Sequence, residues 1–253
     1  MAAPQRGHAG FARVPVLMKH LRAKPSEIRQ RRPGWAATVA QDRWVTFDCY
    51  GTLIDWNGGI RRELARVFGD DHADERLRRY HEIEPVLQAG GALSYREVMT
   101  DAMRELGASE AQARGLAEAL PSWEPFPEVR PALEDARASG WKLAILSNTD
   151  RDFIEASQKR IGVPFELAIV ASELGSYKPE HAHWSRFFEE TGAVRDRHVH
   201  VAQSHFHDIA PADELGLRSI WINRYGERRE PPATRELDDL SQLPEALDEL
   251  VAP

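Results

Sequence analysis

Phe47-Asp48-Cys49-Tyr50-Gly51-Thr52-Leu53-Ile54-Asp55 is the stretch of this 253-residue chain that decides the fold. It continues a short apolar run that begins at Trp44 and breaks into a turn at Tyr50-Gly51-Thr52. A β-rich run that ends in an acid and a tight turn reads as a buried strand carrying Asp48 at its C-terminal end. Open α/β sheets hold their ligands at that end. The Thr52 hydroxyl, four residues on, is placed to hold one carboxylate oxygen and aim the other. Cys49 is the single cysteine of the chain, which excludes an internal disulfide framework. Side chains alternate along a strand, so Cys49 is expected to point away from Asp48 into the core.

Outward from this stretch, five strands are predicted: Trp44–Asp48, Lys142–Leu146, Leu167–Val170, His198–Ala202 and Ser219–Ile222. Helical patterns fill Glu128–Ser139, Arg151–Arg160, His181–Thr191 and Ile209–Leu215, and Gly140, Gly162, Gly192 and Gly216 fall where those helices should end. The alternation predicts an α/β fold, a Rossmann-like, doubly wound parallel sheet. Between the first two strands, Trp56 to Pro127 is too long for one crossover and patterned as helix throughout. Tyr95, Val98, Met99, Ala102 and Leu106 follow helical spacing, as do Leu77, Tyr80, Ile83, Glu84 and Leu87, with one polar breach at Glu84. Four prolines between Pro121 and Pro131 mark the return to the sheet. The expected organisation is a basic, poorly ordered extension over 1–40, a core over 41–57 and 127–253, and an inserted helical cap over 58–126. Such a cap can close over a site and exclude water.

The hydrophobic fraction of 42% suffices for a real core, and the net charge of −7 argues against a nucleic-acid or polyanion partner. A small anionic substrate stays open, because a local cluster of cations outweighs a distant average. No apolar run approaches the roughly 18 residues of a membrane span, so no membrane role is expected. Residues 1–40 hold eight lysines and arginines against one acid, Glu27. They have no apolar region of the secretory kind, so the chain is expected to be cytoplasmic. They read as a transit peptide poor in serine, as an extension, or as an over-called start with Met18 as another.

Three further places carry chemistry. Leu146-Ser147-Asn148 ends the second strand, and its hydroxyl, amide and backbone N–H groups suit an anion. Asn148, Thr149 or Asp150 alternatively caps the following helix. Tyr177-Lys178-Pro179 follows the third strand. A lysine beside Asp48 lowers the carboxylate pKa and holds it ionised, and Pro179 opens the next helix. The fourth strand runs into Ala202-Gln203-Ser204-His205-Phe206-His207-Asp208, where Asp208 pairs with Lys178, orients a hydrolytic water, or simply caps a helix from Ile209. His200 and His207 are given no role.

From Trp44 to Arg224 the order of these motifs resembles the haloacid dehalogenase superfamily of hydrolases, and among them the 2-haloacid dehalogenases. The resemblance implies that Asp48 is a nucleophile and that Lys178, Asp208, Ser147 and Thr52 complete the catalytic group. Tyr50 stands where phosphatases of the superfamily carry a second Asp, and Gln203-Ser204 where metal-binding members often have Gly-Asp. Metal-free displacement of halide through an aspartyl ester is implied, with no cofactor, and a homodimer. For the substrate, the resemblance implies Tyr50, Asn148 and a cap arginine, Arg79 first and Arg78 second; a solvated helix face is the alternative for both. Two positions depart from the pattern, Trp184 for a usual Tyr and His205 for a usual Asn. With Tyr50 and Phe206 they predict a tight pocket for two-carbon acids such as fluoroacetate or chloroacetate, with His205 or Asp208 as base. The rivals are a phosphatase of the superfamily acting on a small phosphate ester, and a non-enzymatic module that kept the fold.

Overall fold

The computed structural model describes residues 42–89, 91 and 93–253; the expected extension over 1–40 lies outside them. Six strands, all parallel, form one sheet in the order β3-β2-β1-β4-β5-β6. They are β1 Arg43–Phe47, β2 Trp141–Ser147, β3 Leu167–Val170, β4 His198–Ala202, β5 Arg218–Ile222 and β6 Arg235–Leu237. The five predicted strands are present with ends shifted by at most one residue. β6 is additional: a three-residue edge strand, exposed at two positions, with no apolar run to announce it.

Alternation sorts the side chains onto the two faces. Val45, Phe47, Leu143, Ile145, Val199 and Val201 enter the larger core, whereas Trp44, Ala144 and Leu146 enter a second cluster with Trp184 and Phe187. Cys49 is fully buried in the larger core, as alternation requires.

Four helices fill the interval between β1 and β2: α1 Trp56–Phe68, α2 Asp70–Gln88, α3 Tyr95–Glu105 and α4 Glu110–Ala119. The core helices follow as α5 Val129–Ala138, α6 Arg151–Ile161, the single turn α7 Ala171–Leu174, α8 Ala182–Thr191, α9 Ala210–Glu214 and α10 Leu243–Leu250. Gly162 and Gly192 end α6 and α8 in the left-handed conformation, where a side chain would be strained. Pro179 does not open α8, which starts three residues later. α10 was not predicted; it is held to the start of β1 by buried Arg43, whose Nη1 bonds Asp248 at 2.6 Å. None of the described helices is long and apolar enough to cross a membrane.

The inserted helices and the sheet belong to one compact unit over 40–253. Asp150, at the mouth of β2, joins them. It precedes α6 without capping it by its side chain; its carboxylate instead accepts the N–H groups of Tyr95 and Arg96 at 3.0 and 2.9 Å. The carboxylate thus meets the positive end of α3, a favourable pairing with the helix dipole. Asp150→Ala should lower stability by about 1–2 kcal/mol, the usual worth of a helix cap, or a Tm drop of about 2–8 °C for a chain of this size. Thermal unfolding of the two proteins measures it; an unchanged Tm would mean that this contact does not hold the insertion to the sheet.

Candidate active site

Chain order departs to opposite sides of β1 at β2 and β4, so β1 and β4 flank the point where the winding reverses. In such sheets that crevice is the ligand site. Asp48 follows β1, Ser147 ends β2 and Asp208 lies in the segment after β4. All three line one cavity of about 610 Å³, together with Tyr50, Asn148, Lys178 and His205.

Asp48 is 7% exposed, open only toward this cavity. One oxygen accepts from Lys178 Nζ at 3.0 Å and the other from Thr52 Oγ1 at 2.9 Å. The Gln203 N–H donates to Thr52 Oγ1 at 2.9 Å, which turns the threonine proton toward Asp48. Gly51 makes the turn at φ +92°, and a Cβ there would press on the Gln203 side chain at 3.2 Å. Lys178 is 1% exposed. Its ammonium donates to Asp48, to Leu146 O at 2.8 Å and to Asp208 Oδ1 at 2.6 Å, which engages all three of its protons. Asn148 clamps the lysine backbone from both sides, accepting from Lys178 N at 2.6 Å and donating to Lys178 O at 2.9 Å.

Asp208 does not cap a helix from Ile209. It lies in a wide helical turn, His205–Ile209, with Oδ1 held by Lys178 and, at 2.9 Å, by His200 Nε2. Behind His200, Thr46 Oγ1 lies 2.8 Å from both His200 Nδ1 and His198 Nε2. The other Asp208 oxygen and the Ser147 hydroxyl are buried without a partner among the described residues. Burial pushes the Asp48 carboxyl above the ordinary carboxylate range, against the pull of Lys178 and with the help of the Asp208 charge. The lysine does pull the Asp48 pKa down, as expected, but burial outweighs it. For Asp208, Lys178 and His200 overcome desolvation and bring its pKa down to about 2. Two acids around one ammonium are thus pushed apart.

Three sequence expectations are corrected. Arg79 lies on the outer face of α2 in an ion pair with Glu82 at 2.5 Å, and Arg78 is also exposed; neither lines the cavity. The residues of α2 that line it are His81, Glu84, Pro85 and Gln88. Trp184 is buried in the second core cluster, edge-on to His200 at 5.2 Å between ring centroids, and outside the cavity. The tight pocket inferred from its bulk therefore falls, since 610 Å³ exceeds the needs of a two-carbon acid. His205 does line the cavity; its Nε2 sits 2.8 Å from Pro231 O, so Nε2 donates and Nδ1 is the ring's acceptor. Tyr50 also lines it, with its hydroxyl 3.0 Å from Ser157 Oγ and its ring stacked on Tyr95.

Sequence reasoning missed Glu84, Gln88, Trp56, His81 and Tyr95 of the lining, and His200 behind it. A signal existed for Glu84, the acid breaking an apolar helical stripe. Among the described residues no group of three or more His, Cys, Asp or Glu is disposed to hold a metal ion. Lys178 Nζ fills the space between the two carboxylates, and Gln203 and Ser204 bring no acid, so the residues present do not fit a Mg²⁺ site.

The chain belongs to the haloacid dehalogenase-like hydrolase family, whose model matches residues 43–214. It is 29% identical to haloacetate dehalogenase H-2 of Moraxella sp. (strain B) over 212 residues, 79% of this chain and 91% of that protein. It is 28% identical to phosphoserine phosphatase of Thermus thermophilus over 156 residues, 59% of this chain and 63% of that one. The L-2-haloacid dehalogenase of Xanthobacter autotrophicus shares the fold, with a TM-score of 0.72 and 19% identity, over 81% of this chain and 98% of that one.

The divided acidities give a test with a definite sign. The depressed Asp208 pKa adds stability above the ordinary carboxylate range, lost as pH falls toward about 2. The raised Asp48 pKa works oppositely, its ionisation costing stability as pH rises through it. A nucleophilic attack by Asp48 would need the ionised form, so the acid limb of such an attack would lie above the ordinary carboxylate value. Asp208→Asn removes a charge that raises Asp48, and the limb should move to lower pH. Single-turnover alkylation of Asp48, followed by mass spectrometry across pH, measures both proteins; a shift to higher pH would contradict the assignment.

Proposed function

We propose that this hydrolase cleaves the carbon–halogen bond of small 2-haloacids without a metal ion, through an ester on Asp48. The observation that carries this reading is a desolvated strand-end carboxylate, open to a cavity and held at both oxygens by Lys178 and Thr52. A carboxylate so stripped of water and aimed is an effective nucleophile toward carbon. The similarity to haloacetate dehalogenase H-2 supports the substrate class.

In the first step an Asp48 oxygen bonds to the carbon bearing halogen, and the halide leaves with the electron pair of the broken bond. Water then adds to the Asp48 carboxyl carbon. Asp208 presents its unpartnered Oδ2 as acceptor for that water, but with a pKa near 2 it is a weak base. His205, with Nδ1 as its acceptor, takes the proton. The ester breaks between the carboxyl carbon and the substrate oxygen, which takes the proton from His205 to become the product hydroxyl, while the second proton of the water goes to solvent. Asp48 is restored with one oxygen from water, and the hydroxy acid leaves with an oxygen that was the aspartate's. Trp184 lies outside the cavity and sets no limit on length, so 2-halopropionate and 2-halobutyrate are expected substrates beside haloacetate.

Halide and phosphate release, measured side by side over haloacids and phosphate esters with and without EDTA, tests the reading. Halide release that survives chelation is expected, and Asp48→Asn should abolish it. In single turnover in H₂¹⁸O the label should enter the Asp48 side chain before product. Phosphate release that requires Mg²⁺ would replace the reading with the phosphatase, and label passing directly into product would remove the ester.

A further inference from the structure

Among the described residues, an anion in this cavity meets no unengaged cation. Lys178 gives its three protons to Asp48, Leu146 and Asp208. Arg229, at the rim, pairs with Glu227 at 2.9 Å. The arginines of α2 turn away from the cavity. Two carboxylates around one ammonium leave the floor with an excess negative charge when both are ionised. Among the described residues, neutral donors are what is left to hold a substrate carboxylate.

Glu84 is the acid that α2 brings to this cavity. It lines the cavity and is 6% exposed. Gln88 Nε2 donates to its Oε1 at 2.5 Å. Among the described residues it has no ion pair. The titratable groups that face it are Tyr80 on its own helix, Tyr95 on α3, Tyr177 before the lysine and Asp48 on the floor. None of these is a cation. A buried carboxyl without a counter-charge keeps its proton, and a protonated carboxyl has an O–H to donate.

We propose that Glu84, as a neutral acid, is the group through which α2 binds the substrate, donating its O–H to the carboxylate of an anionic 2-haloacid. The proposal rests on the reading of Asp48 as nucleophile toward such acids. It makes Glu84 the specificity residue of the insertion, in the place where an arginine was expected. Burial, opposed by Tyr95 and aided by Asp48, raises the Glu84 pKa to about 8. The donor is thus present below that pH, and above it a negative charge faces the anion. Lys178, raised above its ordinary value by its two acids, does not titrate in the same range.

Chloroacetate and its neutral analogue chloroacetamide, turned over between pH 6 and 10, test this on the wild type, Glu84→Gln and Glu84→Ala. For the wild type, KM for chloroacetate should rise about tenfold or more above pH 8, the loss of one charge-assisted hydrogen bond, with a smaller rise for chloroacetamide. Glu84→Gln keeps a donor that does not titrate; it should stay within about threefold at neutral pH and lose the alkaline rise. Glu84→Ala should raise KM for chloroacetate at pH 7 about tenfold with kcat changed less. An alkaline rise that persists in Glu84→Gln, or an unchanged KM in Glu84→Ala, overturns the proposal. Glycolate binding, followed by Trp56 fluorescence in the cavity, reads the same pH dependence without turnover. A protein that releases no halide but binds glycolate with this Glu84-dependent profile refutes the dehalogenase reading alone. Glycolate binding that strengthens above pH 8 refutes the role of Glu84.

Discussion

The ammonium of Lys178 is shared unequally between two buried carboxylates, and the site is arranged around that inequality. A buried lysine alone costs several kcal/mol; here two acids and a carbonyl receive it. Asp208 has the shorter contact and a second donor in His200, so its charge is the better stabilised. Asp48 has the longer contact and the opening to the cavity. On the proposed reading the nucleophile is thus the acid that the lysine serves less well. The same ammonium joins the end of β1, the segment after β3 and the turn after β4, and the Asn148 clamp fixes it there.

A floor with excess negative charge constrains what covers it. Cations on the inserted helices would be drawn into ion pairs with the floor, yet the side chains that α2 turns inward are His81, Glu84 and Gln88. Burial lowers the His81 pKa, and its ring stacks on Trp56, so it adds no charge at neutral pH. The cover is neutral and rich in hydrogen-bonding groups. It is joined to the sheet by Asp150 at the start of α3 and by Tyr177, whose hydroxyl donates to Leu93 O at 2.9 Å.

The nucleophile end of this arrangement was legible in the sequence because it is local. Strand, acid, turn and threonine follow within nine residues, and Lys178 and Asp208 each follow a strand whose apolar run is plain. The short edge strand β6 and the helix α10 lay beyond the last predicted element, and β6 has only Leu237 buried. The two failures in the site are failures of helical phase. In α2 the buried positions Tyr80, Ile83 and Glu84 define the inner face; at about 100° per residue Arg78 falls opposite and Arg79 to the side. Trp184 was placed by counting from Lys178, whereas with His183 and Phe187 it forms the buried face of α8. His200 was passed over because alternation places it on the covered face of β4; only the fold shows Asp208 returning over that face to meet it.

An acid on the apolar face of a helix is costly to bury, so its presence calls for a physical reason. For Glu84 the surroundings supply hydrogen bonds but no charge. Gln88 donates to Glu84, and its own carbonyl accepts from Asn148 at 3.3 Å, the residue that clamps Lys178. The chain Glu84–Gln88–Asn148–Lys178 runs from the inserted helices to the cation beside the nucleophile. Every link is an uncharged hydrogen bond, so it holds the insertion over the floor without bringing a cation to compete for Asp48. A neutral acid leaves Asp48 to its two donors, Lys178 and Thr52.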